Sequence, residues 1–117
     1  LLAKGAMVDA KDIRDSGPLI YAAKEGYTAI VTELLAKGAM VEVKDRWGSG
    51  PLIYAAKKGY TAIVTELLAQ GAAIEVRGNG GRTPLIYAAE EGHIAIVMEL
   101  LAKGAAIEVR DKWGGTP

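Results

Sequence analysis

The stretch TPLIYAAEEGHIAIVMELLAKGA, residues 83–105, decides the fold. Thr83 followed by Pro84 is a helix start: the threonine supplies an N-cap oxygen, and proline fills the first helical position, where its missing N–H is no loss. The spacing predicts a first helix to about Glu91, stopped by Gly92. A second helix follows to about Ala102, with Gly104 where a left-handed C-cap residue is wanted. Ile96, Val97, Leu100 and Leu101 give the second helix one wide apolar stripe. Helices of eight or nine residues fall below the ~12–15 needed for marginal stability alone in water, so neighbours must hold them.

The neighbours are copies of the same unit. LLAKGA begins at Leu1, Leu34 and Leu100, with LLAQGA at Leu67, and PLIYAA begins at Pro18, Pro51 and Pro84, so both strings recur every 33 residues. The 117 residues parse as a partial unit (1–11), three complete units (12–44, 45–77, 78–110) and a second partial unit (111–117), together one domain. Residues 12–44 and 45–77 agree at 25 of 33 positions, which directs attention to the few that differ. The pairs Ala22-Ala23, Ala55-Ala56 and Ala88-Ala89 supply small side chains that let helices of adjacent units approach closely. Between units, Met-Val-Glu-Val or Ala-Ile-Glu-Val stretches lead to glycine-rich tips and read as hairpin-like loops.

These residues resemble the ankyrin repeat over the whole chain. Thr83-Pro84-Leu85 with Ala88-Ala89, then Gly92-His93, Ile96-Val97, Leu100-Leu101 and Gly104-Ala105 follow its 33-residue pattern position by position. The resemblance implies an all-α solenoid of stacked antiparallel helix pairs with projecting loops, stabilised mainly between nearest neighbours. Departures are local. Ile20, Ile53 and Ile86 stand where the family has the histidine of T-P-L-H, and Gly17 and Gly50 replace the N-cap threonine in two units. Glycine there is weaker than threonine by only a few tenths of a kcal/mol. Tyr27 and Tyr60 replace the histidine that His93 retains, and Asp15 replaces a turn glycine.

Composition narrows the chemistry. Fourteen basic and fourteen acidic side chains balance, which argues against a nucleic-acid or anionic-membrane partner. No apolar run approaches the ~18 residues of a membrane span. Without cysteine there is no disulfide, thiolate nucleophile or thiolate metal site, and the expected compartment is intracellular, the cytoplasm. His93 is the sole histidine and falls where the family uses a structural one; Ser16 and Ser49, the only serines, sit in turns. No catalytic constellation, metal site or cofactor is expected, and the chain reads as no enzyme. Gly78-Asn79-Gly80-Gly81-Arg82 invites a phosphate-cradle reading, but it aligns with the loop tip Asp45-Arg46-Trp47-Gly48-Ser49 and lacks the spacing of a nucleotide-binding loop. Tyr21, Tyr54 and Tyr87 recur once per unit and are expected to pack between units, with the hydroxyl at the edge.

What varies between near-identical units carries the functional reading. The variable positions are the tips (Ile13, Arg14, Ser16; Arg46, Trp47, Ser49; Asn79, Arg82; Lys112, Trp113) and the ends of the first helices (Lys24, Glu25; Lys57, Lys58; Glu90, Glu91). The family uses these positions for partner contact on its concave face. Trp47 and Trp113 at expected exposed tips fit the residue types enriched at binding hot spots, against the alternative that exposed tips drift. Side chains of the three complete units sum to −1, +1 and −1, a mixed surface. The leading expectation is a scaffold that binds a protein partner. The alternative is a spacer or end-to-end self-associating segment of a longer array, since Leu1 is no initiator methionine and neither end carries a polar capping unit.

Overall fold

The computed structural model describes residues 17–107. Six helices appear as three pairs: α1 (Pro18–Glu25) with α2 (Thr28–Ala36), α3 (Pro51–Lys58) with α4 (Thr61–Ala69), and α5 (Pro84–Glu90) with α6 (Ile94–Ala102). Their starts repeat the period read from the sequence. The first helix of the third pair ends one residue earlier than its sequence suggests, with Glu91 as its C-cap.

Proline opens each first helix. In α5, Thr83 caps it as expected, the Ile86 N–H donating to Oγ1 at 3.3 Å. At Gly17 and Gly50 no side-chain cap exists, yet α1 and α3 form at the same register. Both stop at a glycine in the left-handed region, Gly26 (φ 81°) and Gly59 (φ 85°), whose N–H or successor returns to a carbonyl of the last turn.

Packing follows from the repeat. α1, α3 and α5 lie side by side as one layer, and α2, α4 and α6 back them as a second. Leu19, Leu52 and Leu85, the alanines Ala22, Ala23, Ala55, Ala56 and Ala88, and Val31, Ile63, Val64, Leu67, Ile96 and Leu100 form one continuous buried core. The alanine pairs sit at the contacts between first helices and are fully buried in α1 and α3, as close approach requires. The isoleucines in place of the family histidine are buried too, Ile53 reaching Gly78 in the following loop.

The described loops contain no strand. Each tip is closed instead by one backbone bond, from the Asp45 N–H to the Ser49 carbonyl and from the Gly78 N–H to the Arg82 carbonyl, both 2.9 Å. Successive loops are tied by glutamates. The Ala73 N–H donates to Glu42 Oε2 at 2.5 Å and the Ala106 N–H to Glu75 Oε2 at 2.6 Å, so each carboxylate reaches across to the next unit. Charge-assisted bonds of this kind are stronger than neutral ones.

Candidate partner-binding face

One buried carboxylate builds the central tip. Asp45 Oδ1 accepts the Trp47 and Ser49 N–H groups at 3.0 Å each, and Oδ2 accepts the Tyr54 hydroxyl. The turn bends through Gly48 and throws the Trp47 side chain outward, where it is 50% exposed. The Arg46 guanidinium lies 5.5 Å from the Trp47 ring centroid, a cation–π distance. Burial of the Tyr54 hydroxyl, reinforced by the Asp45 carboxylate, pushes its pKa well above the usual tyrosine range.

The third unit reaches a similar shape by other means. Gly78 replaces the aspartate, and the Tyr87 hydroxyl donates to the Asn79 carbonyl at 3.0 Å. Burial raises the Tyr87 pKa, with Arg82 lowering it and Glu90 raising it. The Gly81 N–H is spent on the Gly78 carbonyl and the Gly78 N–H on Arg82, so this glycine-rich turn is closed on itself. Arg82 also pairs with Glu90, Nη1 to Oε1 at 2.9 Å.

Of the residues singled out by variation, Arg46, Trp47, Asn79, Glu25, Lys57, Lys58, Glu90 and Glu91 are exposed, and Lys24 and Arg82 are half-buried. Ser49 differs from expectation. It is 6% exposed because its N–H turns inward to Asp45, which removes it from the surface. Ile13, Arg14, Ser16, Lys112 and Trp113 lie outside the described residues.

The tyrosine series splits. Tyr87 is buried and Tyr54 half-buried, as packing between units requires, but Tyr21 is 48% exposed and stands 6.2 Å from the Tyr27 ring. The reason is the roof. Lys24 Nζ lies 5.6 Å from the centroid of the Tyr54 ring and Lys57 Nζ 5.8 Å from that of Tyr87, each lysine reaching over the following unit. Among the described residues no helix precedes α1 to do the same for Tyr21. Sequence reasoning passed over Tyr21 as a surface residue because its position is identical to the other two; only its place in the stack distinguishes it.

His93 serves the scaffold. Its ring rests against Gly59, and Nε2 lies 3.0 Å from the Lys57 carbonyl, a bond that the Nε2-protonated tautomer donates. It thereby ties the start of α6 to the end of α3, the structural role expected of it.

A family model described as ankyrin repeats, in three copies, matches residues 19–111. No curated protein matches the sequence.

Proposed function

The chain belongs to the ankyrin-repeat family, whose repeats are generally protein–protein interaction modules, and on that premise we propose that it holds a protein partner through its tips and first helices. Trp47 carries the reading. It is a large aromatic side chain, half in solvent, on a turn fixed by a buried aspartate, and tryptophan and arginine are the residue types that dominate binding hot spots. A side chain presented on a fixed turn loses less freedom on association than one on a mobile loop. The balanced charge favours a protein over nucleic acid or an anionic membrane, and among the described residues no helix is long and apolar enough to cross a membrane. The reading assigns the chain no catalytic role, in keeping with a family that typically serves as an interaction scaffold.

The test is the double substitution Arg46→Ala with Trp47→Ala. Titrated against a confirmed partner, it should weaken binding by about 2 kcal/mol or more, roughly thirtyfold. Unchanged affinity would remove this face from consideration.

A second reading has its own observation. On α6, Ile94 is 71%, Met98 65% and Leu101 38% exposed, whereas α2 and α4 carry Thr28, Thr32, Thr61 and Thr65 at the first two positions and a better buried Leu35 and Leu68 at the third. Such a face suits end-to-end stacking with another copy. Sedimentation velocity over a concentration series decides it, a strict monomer at high concentration ruling self-association out.

A further inference from the structure

The charges on the first-helix row are ordered. The ring contacts place Lys24 and Lys57 on this face, Lys24 reaching from α1 over the Tyr54 ring of α3 and Lys57 from α3 over the Tyr87 ring of α5. Lys58 is exposed beside Lys57. Three ammonium groups are thus gathered about α3. Acidic groups bound them on either side. Glu25 is exposed at the end of α1, and Glu90 and Glu91 are exposed at the end of α5, where Arg82 offsets only one of the two carboxylates. The row therefore reads negative, positive, negative along the stack, although the chain as a whole is neutral.

The geometry points to a partner segment with the complementary order: an extended stretch with acidic residues at its centre and a basic residue at each flank, lying across the C-terminal ends of α1, α3 and α5. This chemistry rests on the protein-binding reading above and specifies its partner. Packed helices stand ~8–10 Å apart, so the acidic edges are separated by roughly 16–20 Å. An extended chain covers that span in about five residue steps at ~3.3 Å each. The tyrosine rings position two of the ammonium groups before binding, which lowers the entropy lost when they are engaged. Like charges brought opposite one another oppose binding, so the same row rejects a segment of the reverse order.

Two capped hexapeptides, KGEEGK and EGKKGE, test the order alone, because their composition and zero net charge are the same. Each is titrated into the isotopically labelled chain at low salt and followed by amide chemical shifts. KGEEGK should bind about tenfold tighter, the sum of a few exposed ion pairs, and should shift the amides of Glu25, Lys57, Lys58 and Glu91. The difference should shrink as salt is added. In the double variant Lys57→Glu with Lys58→Glu, its fold checked by circular dichroism, the preference should turn toward EGKKGE; Glu90→Lys with Glu91→Lys should weaken KGEEGK by an independent route. Equal affinities, a preference for EGKKGE in the unaltered chain, or shifts confined to other surfaces would overturn the assignment. A library of displayed random hexapeptides, selected on the same chain, separates the two levels. Selected peptides that lack the charge order yet shift these amides would overturn the order and leave the binding face standing, whereas peptides that map only to α2, α4 and α6 would overturn both.

Discussion

His93 and Gly59 meet so closely that a Cβ on Gly59 would stand 2.7 Å from the imidazole Cε1, and Tyr60 meets Gly26 at 2.8 Å in the preceding unit. The sequence shows a turn glycine followed by a ring; it does not show that the ring lands on the glycine of the unit before. Gly59→Ala should accordingly be worse than backbone strain alone. Gly38, at φ 94°, has open space around it, so Gly38→Ala isolates the strain, about 1 kcal/mol, and Gly59→Ala should exceed it in urea unfolding. Tyr54 adds a dependence on pH. Its folded pKa is raised above the unfolded value of about 10, so above that pH the unfolded chain releases a proton that the folded chain keeps. Stability contributed by the Tyr54–Asp45 bond is complete below about pH 10 and falls as the pH rises beyond it. Thermal melts of Tyr54→Phe should show a flatter alkaline decline than those of the unaltered chain.

Helix starts carry the lesson at the next scale. PLIYAA predicted three first helices, and three form, whether preceded by Thr83 or by Gly17 and Gly50. Propensity arguments suggest that threonine at position 50 would add a cap. Tertiary structure forbids the simple version, since a Cβ on Gly50 would stand 2.5 Å from the Val43 carbonyl oxygen. Thr83→Ala should lose about 1 kcal/mol, the ordinary worth of an N-cap, while Gly50→Thr should give no matching gain. Chemical denaturation of the two variants measures both. The loops divide likewise: turn residues marked the tips, but the bonds from Glu42 and Glu75 to the next unit depend on how units stack.

Across the molecule, each pair of helices touches only its neighbours, and the described residues extend over 44 × 26 × 20 Å. Burial therefore varies with position in the stack rather than with residue type. Leu67, fully buried in α4, should lose about 2–5 kcal/mol on Leu67→Ala, whereas Leu101→Ala in α6, at 38% exposure, should lose distinctly less. Equilibrium unfolding of the pair checks this, and hydrogen exchange should find the amides of α3 and α4 better protected than those of α6.

By itself the sequence determined the repeat, the helix pairs and the family, because a 33-residue period, proline starts and glycine stops are local signals written three times. It also marked which surface residues vary. Tertiary structure alone decided which of these face solvent: Ser49 is drawn inward by Asp45, Trp47 is thrown outward by the same carboxylate, and identical tyrosines range from buried to exposed. The reason is physical. A repeat fixes what each unit can offer, but burial and charge neighbours are properties of the stack, set by what the adjoining units place against it.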